Sequence, residues 1–179
     1  MRRNEILKLT WDKIDLQSKL IRLKAGDTKE GNRKIVPISN RLKAILMRLP
    51  NRLHDAYANN HVFQYKGKPV SDIRTGLKNG CESAGIAYGR NSEDGFTFHD
   101  LRHRFATNAR KASVEKNVIM VIMGHSAGND MNFRYDSVDE ADLLNAVDQI
   151  EAFLESVDHS VDQGQKNGPQ EESQNRTSY

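Results

Sequence analysis

The sequence predicts an α+β fold, mostly helical, with a small antiparallel β-hairpin near the N-terminus. Three observations carry this expectation. Strand-like alternation is confined to two short runs, residues 20–24 and 34–38, with a turn-rich polar link between them. From Ser39 onward apolar side chains recur at the three- and four-residue spacing of helices. The chain of 179 residues is long enough for one domain with a real core and too short for two comfortable ones.

The elements follow in order. Ile6, Leu7, Leu9, Trp11 and Ile14 fit a short amphipathic helix running into a turn. Leu20, Arg22 and Lys24 alternate with Ile21 and Leu23 as a strand, and Lys34-Ile-Val-Pro37-Ile returns as its partner, a hairpin open to extension by a third short strand. Ser39 is a helix N-cap followed by the stripe Leu42, Ile45, Leu46 and Leu49. Val62-Phe63-Gln-Tyr65 is a brief extended piece before Gly67 and Pro69. Ser71 is expected to cap a helix through Ile73, Leu77 and Cys81 that ends near Gly85, and residues 86–97 form a loop. Further helices are expected at 99–111, at 114–123 capped by Ser113, at 130–135 and at 139–157. The last carries Leu143, Leu144, Val147, Ile150, Phe153 and Leu154 on one face, to be buried on its own domain or on a neighbouring subunit.

The domain is therefore expected to span residues 1–157. From 158 to 179 Gln, Asn, Gly, Glu and Ser dominate, with Val161 and Tyr179 the apolar exceptions, and burial there cannot offset the entropy of ordering. This tail is expected to be disordered.

Composition narrows the function classes. No apolar run approaches the roughly 18 residues of a membrane span, and a single cysteine, Cys81, excludes a disulfide framework and favours a cytoplasmic setting. Gly67, Gly76 and Gly80 form no phosphate-binding fingerprint, so neither ATP nor a dinucleotide is supported. The net charge of +3 hides a division: residues 1–135 hold 25 Lys and Arg against 13 Asp and Glu, whereas residues 136–179 hold 2 against 11. So basic a body suits a polyanionic partner.

Between Phe96 and Tyr135 the chain places His99, Arg102, His125 and Tyr135 on successive short elements. Arginine is permanently cationic, histidine moves protons near neutral pH, and a phenol can act as a nucleophile. Together they suit attack on a phosphodiester. In-line attack builds negative charge on the non-bridging oxygens, which arginine meets with forked, charge-assisted hydrogen bonds. His99 and His103 share the spacing of a zinc protease, but that pattern needs glutamate after the first histidine and Asp100 stands there. With no third ligand evident, no metal is expected, and His103 is read as a packing or supporting histidine.

These residues fall into five boxes in one order. They are Arg2-Arg3-Asn4-Glu5-Ile6, Lys29-Glu-Gly-Asn-Arg-Lys-Ile-Val-Pro37, His99-Asp-Leu-Arg102, Gly124-His125 and Tyr135. The set resembles the catalytic domain of the tyrosine recombinases, the phage-type integrases, and covers most of the expected domain. The resemblance implies that fold, without the family's leading helices and its core-binding domain, which lie ahead of the first box. It implies that Arg2 and Arg102 clamp the scissile phosphate and that Tyr135 attacks to give a 3′-phosphotyrosine and a free 5′-hydroxyl. In the same reading His99 accepts the phenolic proton, Lys29 protonates the leaving 5′-oxygen and His125 hydrogen-bonds the phosphate. An unperturbed phenol has a pKa of about 10, so it needs such help at neutral pH. Tyr57, Tyr65 and Tyr88 lack these surroundings. His125 and Tyr135 stand ten positions apart, one more than is commonest in the family, with residues 126–130 as the loop that takes up the difference.

The expected function is metal- and cofactor-independent DNA strand cleavage and rejoining. The partners are double-stranded DNA and two to four protomers, assembled through the helix at 139–157. The alternative is a catalytically inactive DNA-binding remnant or accessory module. A generic helical interaction domain would leave the five ordered boxes as coincidence.

Overall fold

The computed structural model describes residues 1–29, 31–49, 60–125 and 138–166, with side chains as far as His159. The expected helix at 130–135, and Tyr135 with it, lies outside the described residues. The elements run α1 (Arg3–Leu7), a 3₁₀ turn (Trp11–Lys13), β1 (Ile14–Asp15), β2 (Leu20–Leu23), a second 3₁₀ turn (Ala25–Asp27) and β3 (Lys34–Pro37). They continue with α2 (Asn40–Arg48), β4 (Gln64–Tyr65), β5 (Lys68–Pro69), α3 (Arg74–Ser83), α4 (Phe98–Lys111), α5 (Lys116–Met123) and α6 (Glu140–Lys166). The fold is α+β and mostly helical, as the periodicities predict. Among the described residues no helix is long and apolar enough to cross a membrane.

β1, β2 and β3 form one antiparallel sheet in that order, with Leu20 opposite Pro37 and Leu23 opposite Lys34. β1 is the third short strand, pairing Ile14 with Ile21. Alternation on β3 divides the molecule. Val36 packs on a core of Leu9, Ile21, Leu23, Ile38, Leu46 and Val62, while Ile35, on the other face, packs on a core built from α4, α5 and α6.

α6 closes that second core with Leu143, Ala146 and Ile150. Its apolar stripe is thus buried on its own domain. Asp139 and Asp142 cap its start reciprocally, each carboxylate accepting the other's backbone N–H, at 2.9 and 3.0 Å. Two polar contacts fasten α6 to the first half of the chain. Arg22 of β2 pairs with Glu140 at 3.0 Å, and the Glu151 carboxylate accepts the N–H groups of Asn40 and Arg41 at 3.1 and 2.7 Å, beside the Ser39 cap of α2.

Three local expectations are corrected and one is made more definite. Ser71 does not cap α3: the cap position is Ile73, and the Asp72 carboxylate takes the Arg74 N–H at 2.9 Å. Ser113 does not cap α5; it has φ +61°, just past the end of α4, and Glu115 precedes α5. The expected extended piece is found as β4, Gln64–Tyr65, and it is one side of a tight hairpin, because Lys66 and Gly67 both take positive φ and let β5 pair back. Finally, α6 runs on through Lys166, so residues 158–166 of the expected disordered tail are helical. A helix already nucleated on the core gains one backbone bond for each residue added.

Candidate active site

Arg2 is the N-cap of α1, in an extended backbone conformation. One turn later Glu5 folds back, its Oε2 accepting the Arg2 backbone N–H at 2.8 Å while Oε1 lies 3.6 Å from the Arg2 guanidinium. The Arg2 side chain keeps 31% exposure. Glu5, by contrast, is buried, and the same Oε2 accepts a hydrogen bond from Lys34 Nζ at 3.1 Å.

Lys34 also donates to the Met123 carbonyl oxygen at 3.1 Å, and Arg102 donates to that same oxygen through Nη2 at 2.6 Å. The carbonyl is exposed to both because α5 ends here: Gly124 takes φ +66°, and His125 N–H bonds back to Met120 O at 3.0 Å. Arg102 reaches the junction from α4, whose start is fixed by Asp100. The Asp100 carboxylate accepts the backbone N–H and the hydroxyl of Thr97, each at 2.7 Å. Those bonds hold the Asp100 carboxyl below the usual carboxylate range.

Arg2 and Lys34 therefore meet at one carboxylate, and Lys34 and Arg102 at one carbonyl oxygen. For Glu5 burial acts to raise the pKa, but the Arg2 N–H bond and the Lys34 charge outweigh it, and the carboxyl is held below its ordinary value. The Lys34 ammonium is pushed down, chiefly by burial and further by Arg102 and Arg2, against the pull of Glu5. Arg2, Lys34 and Arg102 thus gather positive charge in one place, which is what an anion-binding site requires.

Arg2 lines two adjoining cavities. One, of about 590 Å³, is shared with His99 and Arg102 and ringed by Arg3, Arg74, Arg90 and Tyr88. The other, of about 390 Å³, is shared with Lys8, Lys13 and Lys29. Lys29 is exposed, on a turn tied down by the Lys13–Asp27 ion pair at 2.6 Å and by the Thr28 hydroxyl donating to Asn32 O at 2.8 Å. His99 is exposed at the first turn of α4, with the His103 ring set edge-on to it at 4.7 Å between centroids.

The structure thus gathers Arg2, His99 and Arg102 on one cavity and Lys29 on the next. His125 is exposed and lines a third space, of about 810 Å³, with Arg33, Lys34 and Leu143. Sequence reasoning left Lys34 and Glu5 without roles. The signal for Lys34 was its register: a lysine opposite Leu23 in a strand that faces core on both sides is buried and must be paired. Arg3, Arg74 and Arg90 were also passed over; nothing in their spacing marks them as neighbours of His99.

The model of the phage integrase family matches residues 1–141. The chain is also 32% identical over 149 residues to a shufflon-specific DNA recombinase of Escherichia coli. That match takes in 83% of this chain and 34% of the relative, so the chain spans about a third of the relative's length.

Proposed function

The chain belongs to the phage integrase family, and on that premise we propose that it is the catalytic domain of a site-specific DNA recombinase, breaking and rejoining strands through a 3′-phosphotyrosine without a metal ion. Its substrate is double-stranded DNA in the cytoplasm. The observation that carries the reading is that boxes separated by about a hundred residues deliver Arg2 and Arg102 to the edge of one cavity.

In this mechanism the two guanidiniums hold the non-bridging oxygens of the scissile phosphate and stabilise the charge that grows there. The Tyr135 phenolic oxygen attacks phosphorus in line, and His99 accepts its proton. The phosphorus–5′-oxygen bond breaks as Lys29 protonates the departing oxygen. His125 donates a hydrogen bond to the phosphate. The reverse attack by a 5′-hydroxyl of another strand reseals the backbone and frees the tyrosine. Two to four protomers act together on DNA. Because the stripe of Leu143, Ala146 and Ile150 is covered within its own domain, a neighbour would use another side of the helix at 139–157 or displace it.

A nicked duplex carrying the target site tests the proposal. The wild-type chain is expected to become covalently attached to DNA and Tyr135→Phe is not; equal adduct yields from the two would refute it. Salt-sensitive binding with no adduct from either would favour the non-catalytic DNA-binding alternative.

A further inference from the structure

The junction contains a buried ion pair, Lys34 with Glu5, that the proposed chemistry does not use. Lys34 lies five residues beyond Lys29, yet its side chain is only 4% exposed and cannot meet a substrate. Its ammonium touches Glu5 Oε2 and Met123 O, both at 3.1 Å. The first of these holds the Arg2 backbone N–H, and the second holds Arg102 Nη2. One ammonium therefore stands a single bonded group away from each of two arginines that come from opposite ends of the domain.

We infer that Lys34 is a positioning residue that sets the spacing of Arg2 and Arg102, a role that rests on reading those arginines as the phosphate clamp. An ammonium has three donors and can hold a carboxylate and a carbonyl at a fixed angle, which no apolar side chain can do. Burying it gains little stability, since a well-packed hydrophobic residue of similar volume commonly does as well. What the ion pair supplies here is geometry. The lysine stem belongs to the same arrangement: a Cβ built on Gly124 would lie 3.0 Å from Lys34 Cδ and Cε. The glycine that turns the chain after Met123 thus also makes room for the strut.

The test uses the double variant Glu5→Gln/Lys34→Met, which leaves no unpaired charge behind. It is expected to fold and bind DNA as the wild type does, while adduct formation at saturating DNA falls about 100-fold, the scale of a small misplacement of reacting groups. In an Arg102→Lys background the same double variant is expected to cause no additional loss, because both changes damage one device. NMR supplies a readout without catalysis: the Arg102 guanidinium protons, slowly exchanging in the wild type, should exchange rapidly in the double variant. Wild-type cleavage by the double variant, losses that multiply with Arg102→Lys, or unchanged guanidinium exchange would each overturn the inference. If the wild type itself forms no adduct, the recombinase reading fails separately and the guanidinium exchange alone decides the role of Lys34. Should the double variant fail to fold, Gly124→Ala, which pushes on the lysine stem and keeps its charge, is read by the same measurements.

Discussion

Glu5 and Lys34 form an ion pair, 3.1 Å from Oε2 to Nζ, with side chains 3% and 4% exposed. Such a pair is costly to break from one side, because the buried charge left behind loses its nearest opposite charge and keeps only Arg2, for Glu5, or the Met123 carbonyl, for Lys34. Lys34→Met alone is expected to lower stability by about 3–5 kcal/mol, and Glu5→Ala by a similar amount. Urea unfolding of the two single variants and of Glu5→Gln/Lys34→Met checks this, with the double variant expected closest to the wild type.

The same carboxyl makes stability depend on acid. Glu5 gives up its proton more readily when folded than at its ordinary value of 4.5, so its ionisation favours the folded state. That contribution is fully present above 4.5 and is lost as the pH falls through the lower folded value. Thermal melting of wild type and Glu5→Gln across this range is the measurement. The advantage of the wild type over the variant should shrink as the pH drops below 4.5.

Gly124→Ala tests the turn after α5. Its φ of +66° is left-handed, which costs a side-chain-bearing residue about 1–2 kcal/mol, and the new methyl would crowd the Lys34 methylenes. Denaturant unfolding should register a loss at or above the upper end of that range. Gly85, also left-handed with φ +67° but with open space around it, should lose less on the same change.

Arg102→Lys keeps the charge and removes the fork. Losing an oriented donor to a transition-state oxyanion typically lowers the rate about 10²–10³-fold. Single-turnover adduct formation should fall on that scale, while affinity for the duplex changes far less.

The elements that proved legible are those set by local chemistry. The period of two at 20–24 and 34–38 marked the sheet, and Ser39 marked the start of α2, where its hydroxyl does accept the Leu42 N–H at 3.1 Å. The boxes singled out Arg2, Lys29, His99 and Arg102, and these four line two adjoining cavities. Ser71 and Ser113 misled because a serine before an apolar run is compatible with a cap without compelling one; Asp72 and a left-handed turn prevailed at those points. Lys34 looked like one more basic residue of a hairpin. Its burial depends on α1, α4 and α5 arriving around it, a long-range event that no window of sequence contains.

The attachment of α6 by Glu140 and Glu151 has a last consequence. Peeling that helix away would open one apolar core and, in the same stroke, strip Glu151 from the first turn of α2 in the other. Neither half of the chain can therefore melt ahead of its counterpart. Heat should destroy both cores in a single calorimetric peak.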